Sequence, residues 1–106
     1  MKVFISQPMR GRSQEEIEER RNEIINTIRD RYLNEHIDFV YSIIEQEPPN
    51  EVEHTSVWYL GKSIEKLSNA TIAYFDKGWE KADGCTVELK ICKLYGIPTI
   101  FYTDFN

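Results

Sequence analysis

The sequence predicts a small α/β fold built on a parallel sheet, and three observations carry this. Four short β-rich or apolar runs, at residues 2–6, 38–44, 70–75 and 98–102, read as strands. Three longer stretches between them carry apolar residues at helical spacing. Strand and helix alternate throughout, which implies right-handed β-α-β crossovers and helices on both faces of a parallel sheet. With 106 residues, 41% apolar and 29% charged, the chain suits one domain of four strands and about three helices, spanning 1–106.

The first run, Lys-Val-Phe-Ile-Ser, has an apolar centre without clear alternation, as a strand covered on both faces requires. The loop Gln7-Pro8-Met9-Arg10-Gly11-Arg12 follows, punctuated by Pro8 and Gly11. Ser13, with Glu16 three residues on, forms a capping-box pattern and opens a helix that should end near Asn34. Ile17, Ile24, Ile25, Ile28 and Tyr32 mark its buried face; Glu16 and Arg20 are spaced to pair on the other. Residues 38–44 read as the second strand, and 45–55 as a long polar loop suited to a lid or a subunit contact. Ser56 is the expected N-cap of a second helix reaching Asn69 and burying Val57, Leu60, Ile64 and Leu67. Gly61 within it points to close packing or a ligand, since glycine costs about 1 kcal/mol relative to alanine there. The third strand is followed by a loop with Gly78 and a helix over 84–95, closed by Gly96. Residues 98–102 form the fourth strand; 103–106 are expected to fray. Tyr74, Tyr95 and Tyr102 are expected to pack in or near the core.

The pattern implies strand order 2-1-3-4, a small three-layer flavodoxin-like or Rossmann-like fold. Its switch point lies between strands 1 and 3, so the loops after them face each other across one crevice. The first loop ends at a helix N-terminus, where free N–H groups and the dipole favour an anion. Gly11 admits close backbone approach, Arg10 or Arg12 can fork onto phosphate oxygens, and Ser13 can add a hydroxyl. The second loop leads to Glu88. A carboxylate at a strand-end crevice can act as nucleophile, base or hydroxyl clamp. An acid early in a helix also complements the dipole, and spacing alone leaves both readings open. Trp79 and Trp58 suit stacking on a planar base and equally suit capping the sheet. Asp83 reads as a loop acid or helix cap.

A net charge of −5 without an extended basic face argues against duplex nucleic acid as partner. Cys85 and Cys92, seven apart on one helix, cannot bond to each other and match neither a zinc nor a redox spacing; they read as buried thiols. His36 and His54 have no ligand partner at metal spacing, so neither metal nor cofactor is expected. No apolar run is long enough for a membrane span, and a cytoplasmic location is expected.

Phe4-Ile5-Ser6-Gln7-Pro8-Met9-Arg10-Gly11, Leu60-Gly61-Lys62-Ser63-Ile64, Gly78-Trp79 and Gly84-Cys85-Thr86-Val87-Glu88 together carry a likeness over nearly the whole chain. The chain resembles the phage and bacterial proteins grouped as domain of unknown function family 4406. That group is similar in turn to nucleoside 2-deoxyribosyltransferases and 2′-deoxynucleoside 5′-phosphate N-hydrolases. The resemblance implies a nucleoside or nucleotide ligand, with Glu88 attacking C1′ of the deoxyribose. It implies a phosphate loop through Ser6, Met9, Arg10 and Gly11; with Gln7, Ser63 and Gly84 from the matching segments, and Ser13 and Trp79 from the residue reading above, these make up the expected ligand site. It further implies a homo-oligomer, because the transferases close their site with a neighbouring subunit. Three positions depart from the enzymes. Ser63 stands where they have an aspartate in the second helix. Ala82 stands six residues before the nucleophile, with Asp83 one step on. Ala70-Thr71 replaces Ala-Asp at the start of strand 3. These departures imply two alternatives: a nucleotide-binding protein without turnover, or a small interaction protein.

Overall fold

In a computed structural model, which describes residues 1–41 and 43–105, four parallel strands form one sheet in the order β2-β1-β3-β4. The chain runs β1 (Lys2–Ser6), α1 (Gln14–Arg31), β2 (Asp38–Tyr41), α2 (Thr55–Leu67), β3 (Ile72–Phe75), α3 (Asp83–Tyr95) and β4 (Thr99–Phe101). Short 3-10 turns cover Trp79–Lys81 and Tyr102–Phe105. The fold class and strand order are those the alternation predicts.

Strand side chains alternate between faces, and that alternation builds two cores. Val3, Ile5 and Tyr74 pack on Ile24, Ile25 and Ile28 of α1. Phe4, Ala73 and Phe75 pack on Leu67 of α2 and on Cys85, Leu89 and Cys92 of α3. Ser6 continues the Phe4 face at the carboxyl end of β1, beside Phe75 of β3. The sheet therefore delivers a buried hydroxyl to the α2–α3 side at the crossover point.

Ser13 caps α1 as the sequence predicts. Its hydroxyl accepts from the Glu16 amide at 3.1 Å, and the Glu16 carboxylate accepts from the Ser13 amide at 3.0 Å. Glu16 is thus engaged at the cap and does not pair with Arg20. The helix stops at Arg31, short of Asn34, and Tyr32 closes it. β2 is shorter than expected: residues 43 and 44 lie in a loop, and Ser42 lies outside the described residues. α2 starts at Thr55 with His54, not Ser56, at its N-cap, and ends at Leu67, before Asn69. Val57 in its first turn is 67% exposed rather than buried, and it lines a cavity. The space beside Gly61 is open, so no close packing demands that glycine.

Gly96 ends α3 in the left-handed region at φ 72°, where glycine has no Cβ penalty. Tyr95 beside it is exposed rather than packed, whereas Tyr74 is buried and Tyr102 half-buried. The segment after β4 docks instead of fraying. The Asp104 carboxylate accepts from the Phe101 amide at 2.7 Å, Arg31 donates to the Asp104 carbonyl, and Phe105 packs on Tyr74. Asn106 lies outside the described residues. No helix among the described residues is long and apolar enough to cross a membrane.

Candidate functional site

The buried stripe of α3 is Cys85, Glu88, Leu89 and Cys92, a run at helical spacing with one acid in it. Glu88 is 4% exposed. Its two carboxylate oxygens have separate donors: Ser6 Oγ gives to Oε1 at 2.8 Å and Ser63 Oγ to Oε2 at 2.5 Å. Burial pushes the Glu88 pKa above the ordinary carboxylate value, and the two serine hydroxyls partly offset that shift. An acid that only complemented a helix dipole would sit at the surface. This one is desolvated, fixed in orientation by two elements, and faces a cavity.

The cavity holds about 720 Å³, within the range of small-molecule sites. The loop after β1 supplies Gln7, Pro8, Met9, Arg10 and Arg12. α2 supplies Val57, Tyr59, Leu60 and Ser63, and the segment after β3 supplies Gly78, Lys81, Asp83 and Gly84. The two loops meet where Gly78, at φ 90°, brings its backbone against Pro8; a Cβ there would stand 3.6 Å from the proline ring. Gly84 sits in the first turn of α3, opposite Leu60.

Gln7, Met9, Arg10, Ser63, Gly84 and Glu88 therefore come together as the sequence suggests, with Ser6 beneath them on the carboxylate. Four other candidates do not line the cavity. Ser13 spends its hydroxyl on the α1 cap, and Glu16 closes the same helix end, so that terminus offers neither the hydroxyl nor an uncompensated positive pole. Gly11 shapes the loop at φ 79° without lining the cavity. Trp79 packs on Phe75 and Phe101 at 6.3 and 5.5 Å between ring centroids, so it caps the sheet. Trp58 stacks edge-on against Tyr59 and lies under Lys62.

Sequence reasoning missed Asp76. It follows the last residue of β3 and is 1% exposed. Arg20 forks onto both its oxygens at 2.8 and 3.0 Å, and the Tyr74 hydroxyl donates at 3.0 Å. The hydrogen bonds to Asp76 raise the Arg20 pKa, and burial raises that of Tyr74. The Asp76 amide donates to the Ser6 carbonyl at 3.0 Å, so this ion pair ties α1 to the strand ends that hold Ser6. Gln7 adds a second tie, donating from Nε2 to the Ile17 carbonyl at 2.8 Å. Its buried Oε1 has no partner among the described residues. The available signal was an acid directly after a buried strand, with an arginine on α1, the helix that follows the neighbouring strand β1.

Cys85 and Cys92 are free and buried, and burial pushes both thiols up to about 11, which keeps them protonated and unreactive. Among the described residues no group of His, Cys, Asp and Glu could hold a metal ion. A second cleft of about 800 Å³ lies beside β2. Its charged side chains are of both signs, Lys62 and Glu65 pair with each other at 3.2 Å, and it contains no buried acid. Comparison of the chain with models of known protein families, with curated proteins and with solved structures finds no match.

Proposed function

We propose that the protein cleaves the N-glycosidic bond of a deoxynucleoside or its 5′-phosphate, with Glu88 as nucleophile. The observation that carries this is the buried Glu88 carboxylate, held by Ser6 and Ser63 and facing the cavity. One Glu88 oxygen attacks C1′, the bond from C1′ to the base nitrogen breaks, and its electron pair leaves with the base. A glycosyl ester forms on Glu88. Water then attacks C1′, the ester bond breaks, and the carboxylate is restored; a second base in place of water gives transfer. The serine hydroxyls fix the attacking oxygen, and burial strips it of water, so little reorganisation is needed at attack.

The base fits against Met9, Val57, Tyr59 and Leu60. Val57 and Tyr59 are 67% and 38% exposed, which is apolar surface left open where a planar ring would lie. The phosphate falls to Arg10 and Arg12 at the rim.

A second reading, capture without turnover, is favoured by one observation. Asp83, the other carboxyl lining the cavity, is exposed at the mouth, and Ser63 is already committed to Glu88. No buried acid protonates the leaving base, which must take its proton from water. The test is incubation of the protein with deoxynucleosides and their 5′-monophosphates, read by chromatography, with Glu88→Gln alongside. Free base from wild type alone is the expected result. Intact ligand bound at one equivalent would leave the capture reading standing and remove the catalytic one.

A further inference from the structure

We propose that the natural ligand carries a polyphosphate, a nucleoside di- or triphosphate rather than a monophosphate. This rests on the nucleotide reading above and deepens it. The argument begins with the arginines. The chain has six. Arg20 is paired with Asp76, Arg21 lies over Tyr41, Arg29 over Phe39, and Arg31 over Phe105 while donating to the Asp104 carbonyl. Only Arg10 and Arg12 have no side-chain partner among the described residues, and both line the cavity that holds Glu88. Lys81, on the loop after β3, lines it too and has no carboxylate or hydrogen-bond partner among the described residues.

The lining thus sets three cations against two carboxylates, Asp83 at the mouth and the buried Glu88, a local positive excess in a chain of net charge −5. A cavity lined by an excess of one sign of charge concentrates ligands of the other. The end of α1 does not do this work, because Ser13 and Glu16 close it; side chains must hold the anion. Arg10 and Arg12 flank Gly11 on a single loop, and two guanidinium forks already match the three terminal oxygens of one phosphoryl group. Lys81 comes from the other loop, beyond the point where Gly78 meets Pro8. A compact point charge there suits a second phosphoryl group along the chain.

The test is calorimetric titration of Glu88→Gln, which binds without turning over, with the mono-, di- and triphosphate of one deoxynucleoside. Inorganic tripolyphosphate is a further arm. The triphosphate should bind about tenfold or more tighter than the monophosphate, the worth of one added charge-assisted contact. Lys81→Ala should collapse that ratio while changing monophosphate affinity little. Equal affinity for mono- and triphosphate would overturn the proposal and leave the nucleotide reading intact. So would a Lys81→Ala loss that is the same for both. Binding of tripolyphosphate without any nucleotide would support the polyphosphate site and sink the nucleotide reading. Binding of nothing in any arm would overturn both.

Discussion

Replacing Arg20 with methionine keeps an apolar stem and removes the guanidinium, leaving Asp76 buried with the Tyr74 hydroxyl as its remaining side-chain donor. Removing one partner of a buried ion pair costs about 3–5 kcal/mol. Asp76 is 1% exposed but the Arg20 side chain is 36% exposed, so water softens the loss. The low end, about 3 kcal/mol, is the expected destabilisation. In a domain of this size that lowers Tm by roughly 12–24 °C. Urea unfolding of wild type, Arg20→Met, Asp76→Asn and the double variant gives the coupling energy directly. The double variant should be less destabilised than the two single losses added together, because neither partner is then stranded. A loss below about 1 kcal/mol for Arg20→Met would refute the reasoning, since that is the worth of an ordinary surface pair. The same variant should loosen Ser6 through the Asp76 amide, so any base release should fall with it.

Glu88 should cost the fold stability that grows with pH. Its folded-state pKa lies above the 4.5 of a free side chain, so between those two values the folded state binds the extra proton. Stability is greatest below the unfolded value and is lost as pH rises through the folded one. Glu88→Gln removes that loss, so its Tm should rise relative to wild type as pH is raised, with the gap closing in acid; a gap independent of pH would contradict the burial argument. Ser13→Ala should cost about 1 kcal/mol through the lost cap without changing nucleotide affinity, and weaker binding at full folding would return Ser13 to the ligand.

Much of the fold was legible because it depends on periodicity. Alternating strands and helices imply a parallel sheet, for which the order 2-1-3-4 was the expected arrangement, and the Ser13–Glu16 and Gly96 signals mark real helix ends. Glu88 was legible as a candidate because the crossover rule places its helix at the crevice between strands 1 and 3, whereas Ser63 was reached only through the family resemblance. What spacing does not encode is which way a side chain is spent. Arg20 and Glu16 are four apart and were expected to pair, yet each finds a better-fixed partner, Asp76 and the Ser13 cap. Val57 has core spacing, but it faces the cavity rather than the core. Trp79 is in the loop above Glu88, yet Phe75 and Phe101 offer it a dry surface. Each is a tertiary outcome decided by what stands across the gap.

The central claim is that Glu88 becomes covalently bound to the sugar. Its most direct measurement is mass spectrometry of protein quenched in acid during reaction with a deoxynucleoside carrying a 2′-fluorine, which slows breakdown of the ester. The account predicts a mass increase equal to one fluorinated sugar, or sugar phosphate, on the peptide containing Glu88, absent in Glu88→Gln. Base release with the adduct on another residue, or undiminished base release by Glu88→Gln, would contradict it.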